Sequence, residues 1–178
     1  MAVRAEVRRD ASEGTEANRE SHGLHRGCRG DPAARASVLI EPLPTKGEVL
    51  RACRGVEHAA HPLLRAANEL ACLHERRLAD GCRTADIDSR RAKLVREINH
   101  WAHGHLPPAH GSASVHTETL GAVLDRLARY TATAYAALAS ATDYDLGDAW
   151  EALAELAIGY EDLVHELAAG RRRLPGGP

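Results

Sequence analysis

The chain has 178 residues, 44% hydrophobic and 27% charged, which is material for one globular domain. Phe is absent and the aromatic residues are only Trp101, Trp150, Tyr130, Tyr135, Tyr144 and Tyr160, so Leu and Ala carry the core, which favours close-packed helices over sheets. A net charge of -2 excludes the electrostatic footprint of a nucleic-acid or anionic-membrane binder, and no apolar run reaches the length of a bilayer span.

Residues 1–36 are charged, Gly-dotted and poor in large apolar groups, so disorder is expected there. Residues 37–44, "SVLIEPLP", are apolar but bounded by prolines, and are expected to lie extended on the domain surface. The helical domain runs over residues 45–174, with a tail at 175–178. Thr45 and Glu48 have capping-box spacing, and Val49, Cys53, Val56 and Ala60 follow at helical period in a short leading helix weakened by Gly55. Pro62 opens a second helix with the stripe Leu63, Ala67, Leu70, His74 and Leu78. The third, from about Asp86, carries Ile87, Arg91, Leu94, Ile98 and Trp101 on one face and ends at Gly104. The fourth runs from about Thr119 to Ser140. The fifth is capped by Asp145, with Leu146, Ala149, Leu153, Leu156, Tyr160, Leu163 and Leu167 inward and Gly170 as C-cap. The predicted fold is all-α, an antiparallel bundle of four long helices plus a short leading one. Arg171, Arg172 and Arg173 read as a solvated terminus.

The fourth helix is apolar on one side, with Leu120, Val123, Leu124, Leu127, Thr131, Ala134 and Leu138. The opposite side reads Glu118, Gly121, Asp125, Ala128, Ala132, Ala136 and Ala139. An Ala/Gly face without a solvated charge pattern predicts a second helix packed closely on it, within the fold or across a dimer interface. Glu118 and Asp125 then admit two readings. Glu118 favours the helix start and Asp125 pairs with Arg129 at i, i+4, or the two carboxylates bind a polar ligand or cation beside close-packed backbone.

Of eleven histidines, five fall between His100 and His116. Glu97 with His100, and Asp162 with His165, imitate the Glu-x-x-His spacing of di-iron bundles, but helical phase turns His100, Asp162 and His165 away from the core and leaves Glu97 at its edge, so no metal and no other cofactor is predicted. His74 sits inside an apolar stripe, either as a satisfied core histidine or as part of an acid–base cluster with Tyr160, Glu118 and Asp125, which His116 could join. Cys28, Cys53, Cys72 and Cys82 lack Cys-x-x-Cys spacing, and the N-terminus lacks an apolar export segment, so a reduced cytoplasmic protein is expected.

With Thr117, Glu118, Gly121, Asp125, Arg126 and Leu127 in place, the chain resembles bacterial domain-of-unknown-function family 4254, whose recurring pattern is Thr-Glu, Gly, then Asp-Arg-Leu. "NELACLHERRL", Asn68 to Leu78, resembles that family's earlier helix, and the likeness covers roughly Thr45 to Leu174. Leu120 departs from a proline common before the glycine, and His74-Glu75 stands near a Glu-Asp pair of other members. The Ala- and Arg-rich composition resembles the actinobacterial branch. The resemblance implies an all-helical cytoplasmic protein and brings no general activity.

Two functions are expected from these features. One is association, as a homodimer or homo-oligomer or as the accessory subunit of a metabolic (including natural-product biosynthetic) enzyme, motivated by the Ala/Gly face. The other is an enzyme on a small-molecule ligand, with His74, Glu118, Asp125 and Tyr160 as its acid–base groups.

Overall fold

Thr45 starts the helical part of the chain with a closed capping box. Its backbone N–H donates to Glu48 Oε2 at 2.8 Å, and its Oγ1 accepts from the Glu48 N–H at 3.3 Å. The helix it opens, α1 (Lys46–Cys53), is shorter than its apolar pattern suggests. Gly55 turns the chain at φ 70°, a left-handed geometry that ends the helix, and Val56, expected on the buried stripe, is 63% exposed. The computed structural model describes residues 41–56, 61–80, 84–140 and 143–176. The expectations for the N-terminal arm, for residues 37–40, and for Ala60, Cys28 and Cys82 therefore lie outside the described residues.

Four long helices follow: α2 (Pro62–Asp80), α3 (Thr84–His105), α4 (Leu120–Ser140) and α5 (Asp143–Ala168). The fold is the all-α bundle that the periodicity predicts, and consecutive long helices run as antiparallel neighbours. Arg77 meets Asp88 and Arg90 meets Glu69 between α2 and α3, Gly121 meets Val95 between α3 and α4, and Tyr135 meets Trp150 between α4 and α5. Because α5 starts at Asp143, Asp145 lies inside the helix and does not cap it. Among the described residues no helix is long and apolar enough to cross a membrane.

The central element is α4, which touches α1, α2, α3 and α5. That position accounts for its two uncharged sides. Leu120, Val123, Leu124, Leu127, Thr131 and Ala134 are buried on one, and Ala128 and Ala132, 0% and 2% exposed, are buried on the other. The Ala/Gly face meets its covering helices inside the fold, as far as Ala132. Beyond that point Ala136 and Ala139 are exposed, and so is Leu138, which the apolar stripe would have buried. Leu78, at the end of the α2 stripe, is likewise 55% exposed. Thr131 satisfies its buried hydroxyl by donating to the Leu127 carbonyl at 2.9 Å.

Two tethers hold the periphery. The Tyr160 hydroxyl, fully buried, donates to the Pro44 carbonyl at 2.8 Å and holds the end of the extended segment, Glu41–Pro44, against the domain. Tyr160→Phe leaves that carbonyl buried without a partner, so unfolding followed by calorimetry should show a loss of about 1–2 kcal/mol. At the other end, Gly170 closes α5 at φ 66°. The arginines that read as a solvated terminus then form β2 (Arg172–Arg173), paired in parallel with β1 (Ser114–Val115). Leu174 is buried behind them, which fixes the strand where charge alone would leave a tail in water.

Candidate functional site

Gly121 is the residue that brings the site together. A Cβ there would lie 2.5 Å from the Val95 carbonyl oxygen and 2.9 Å from Asn99 Oδ1, so only glycine lets α4 approach α3 this closely. The Gly121 N–H, in the first turn of α4 where no helical partner exists, donates to Asn99 Oδ1 at 2.8 Å. One turn further along α4, and one turn back along α3, the same approach sets Asp125 against Arg91.

Asp125 is shared by three helices. Its Oδ1 accepts from Arg91 Nε at 3.0 Å and from His74 Nε2 of α2 at 2.9 Å, while Oδ2 accepts from Arg91 Nη2 at 2.5 Å. Arg91 Nη1 donates to Asp88 at 2.9 Å, and Asp88 in turn accepts from Arg77 of α2 at 2.5 Å. The chain His74–Asp125–Arg91–Asp88–Arg77 thus closes from α2 through α4 and α3 back to α2, with the charges of Asp125, Arg91, Asp88 and Arg77 alternating in sign. Burial by itself pushes the pKa of the Asp125 carboxyl up. The hydrogen bonds from His74 and Arg91 more than offset this and hold the pKa at about 2.

An ionised carboxylate only accepts, so His74 Nε2 carries the proton of that bond and Nδ1 of the neutral ring keeps its lone pair. His74 is 4% exposed, and no hydrogen bond reaches Nδ1 among the described residues. The ring borders a cavity of about 300 Å³ between α2 and α4, shared with Arg77, Leu78, Arg129 and Thr133.

The pH dependence follows from Asp125. Its folded pKa of about 2 lies below the ordinary 3.8, so the unfolded chain binds a proton first as pH falls. The stabilisation is complete above about pH 5 and disappears as pH drops through the folded value. Denaturant titrations between pH 5 and pH 2 should lose about 2 kcal/mol at this site, and the Asp125→Asn variant should lack that slope.

Of the four residues expected to form one acid–base cluster, the structure brings together His74 and Asp125. Tyr160 belongs elsewhere, since its hydroxyl is spent on Pro44. Desolvation by burial pushes its pKa further up, which removes it from acid–base work near neutrality. Glu118 pairs with Arg126 at 2.6 Å, in the segment before α4 begins, where the helical phase that put it on the Asp125 face does not apply. His116 sits there too, accepting from the Glu118 N–H at 3.2 Å, and does not join His74. Asp125 is bound by Arg91, and not by Arg129 at i, i+4. Sequence reasoning put Arg91 on the inward face of α3 without assigning it a role. An arginine within an apolar stripe was the available signal for an inward carboxylate.

Glu97, His100, Asp162 and His165 are all exposed, the last three as their phase predicts. Among the described residues no group of three or more His, Cys, Asp or Glu side chains is placed to hold a metal ion. Cys53 is buried with its Sγ 3.7 Å from the Ala67 carbonyl, and burial pushes its thiol up to about 12, so it acts as a small core residue.

No curated protein and no solved structure matches the chain. One family model does, over residues 73–175, a span shorter at its N-terminal end than the resemblance first suggested but one that contains His74, Arg91 and Asp125. The match takes in just over half of the 178 residues. The chain belongs to the family described as protein of unknown function, DUF4254.

Proposed function

We propose that the protein handles a small molecule in the α2–α4 cavity, with the His74 imidazole as its acid–base group and Asp125 as the residue that orients the ring. One observation carries this reading: a buried histidine bonds through Nε2 to an ionised carboxylate, while its ring borders an open cavity. Nδ1 takes a proton from the bound molecule, and Asp125 stabilises the imidazolium that results. Arg91 holds the carboxylate in line and keeps it ionised.

Incubating the purified protein with a defined metabolite library, and following the mixture by mass spectrometry, tests the reading. At least one compound should be retained or consumed, and that effect should fall at least tenfold in His74→Gln and in Leu78→Trp, which fills the cavity mouth without touching the ion pairs. A well-folded His74→Gln protein with unaltered handling of every compound would sink it.

A second reading, association with another copy or as the accessory subunit of a metabolic or natural-product biosynthetic enzyme, has separate support. Near the end of α4 both of its sides are exposed, at Leu138 on the apolar stripe and at Ala139 on the Ala/Gly face, and Trp150, 37% exposed, packs against Tyr135 of the same helix. Light scattering on a size-exclusion column should then give at least a dimer, and Leu138→Arg should return it to monomer. Both readings are of a cytoplasmic protein, supported by the two described cysteines being free thiols.

A further inference from the structure

We infer that the α2–α4 cavity is an anion site for a phosphate or carboxylate group on the small molecule, an assignment that rests on the acid–base reading of His74. Five side chains line the cavity: His74, Arg77, Leu78, Arg129 and Thr133. Two are guanidinium groups, one is a hydroxyl, one is an imidazole, and none is a carboxylate.

The charge on these walls is only partly neutralised from nearby. Arg77 commits Nη1 to Asp88, which leaves the other N–H groups of its guanidinium for the cavity. Arg129 lies over the Tyr130 ring, its Cζ 5.1 Å from the ring centre, and among the described residues no carboxylate pairs with it. Asp125 is already filled by Arg91 and His74, and Asp88 by Arg91 and Arg77, so neither compensates Arg129. A concavity with two planar forks and a hydroxyl matches the oxygens of a phosphate or carboxylate, which both forks can hold bidentately.

Among the other concavities, the one lined by His103, Arg172 and Arg173 also has no carboxylate in its wall, but it holds only about 40 Å³, Arg172 is paired with Glu166, and both ring nitrogens of His103 bond to the Asn99 and Gly176 carbonyls. The one beside His116 has Asp162 and Glu166 in its wall with Arg171 and Arg172, so its charges balance among themselves. The cleft beside Leu106, Pro107 and Val164 is mainly apolar, with no guanidinium or ammonium group in its wall and with the Glu41 carboxylate beside its one imidazole, His105.

The test is titration of the intact protein with inorganic phosphate and, separately, with malonate, each against chloride at equal ionic strength, read by amide NMR shifts and by melting temperature. At least one anion should give saturable shifts centred on residues 74, 77, 129 and 133. Arg129→Gln should weaken that binding at least tenfold, while Arg90→Gln, on an exposed pair with Glu69, should leave it unchanged. Saturation by phosphate alone or by malonate alone identifies the group. No saturable response beyond the chloride control, shifts centred elsewhere, or full affinity in Arg129→Gln would overturn the assignment. If the library experiment shows His74-dependent handling while both anions fail, the anion site falls and the acid–base reading stands. If an anion saturates the site while His74→Gln handles every compound normally, the acid–base reading falls.

Discussion

Asp125→Ala is expected to destabilise the protein by about 3–5 kcal/mol, because it strands two partners at once. Arg91, 21% exposed, loses two of its three hydrogen bonds and keeps only the one to Asp88, and the His74 Nε2–H, in a ring 4% exposed, is left without an acceptor. For a domain of this size the loss corresponds to a fall in melting temperature on the order of 10 °C. Asp125→Asn keeps the shape and one acceptor oxygen, so it should cost about half as much. Arg91→Leu combined with Asp125→Leu should recover most of the loss, since removing both charges removes the desolvation penalty together with the attraction. A double-mutant cycle by denaturant unfolding would measure the coupling directly. If Asp125→Ala and Asp125→Asn were both within about 0.5 kcal/mol of the parent, the ion-pair chain would not be holding the three helices together.

Gly121→Ala should cost about 2–4 kcal/mol, although alanine is intrinsically the better helix residue by about 1 kcal/mol. The added methyl meets the Val95 carbonyl oxygen at 2.5 Å, and that oxygen belongs to the backbone of a neighbouring helix, which cannot swing aside as a side chain would. Relief requires α4 to move off α3, which draws Asp125 away from Arg91. The variant should therefore lose part of the acid-sensitive stability as well as total stability. Gly159→Ala is the contrasting case: a Cβ there meets nothing within 4 Å on an exposed face of α5, and the change should stabilise by about 0.5–1 kcal/mol. Equal effects at the two positions would show that helix propensity, and not the close approach, governs both.

These two positions also mark what the sequence could express. The gap in charge along Gly121, Ala128 and Ala132 correctly predicted a covered face, because a face exposed to water would carry charge. It could not say what covers it, since helical phase gives a direction around one axis and no information about the neighbour. That is how Tyr160 came to be grouped with His74: both are polar groups on apolar stripes, yet Tyr160 meets Pro44, 116 residues away in the chain. Periodicity overran α1 at Val56, and within α2 and α4 it assigned to the core Leu78 and Leu138, which are exposed. The pairing of Ser114–Val115 with Arg172–Arg173 is too short for any alternation to register.

The site shows the same division. His74 and Asp125 were separately visible as polar groups on helix faces that are otherwise apolar. Their bond depends on α2, α3 and α4 meeting at one level, set by the Gly121 contact. Arg91 completes the arrangement and decides its character, because a carboxylate held by a guanidinium stays ionised and fixes which nitrogen of His74 carries the proton.

The most direct measurement is the long-range nitrogen–proton NMR spectrum of the His74 ring near neutral pH, compared between the parent protein and Asp125→Asn. The account predicts a ring protonated at Nε2 with its lone pair on Nδ1, the Nδ1 resonance shifting as phosphate or malonate is added and the tautomer preference weakening in Asp125→Asn. A proton found on Nδ1, or a His74 ring indifferent to both the anion and the substitution, would contradict it.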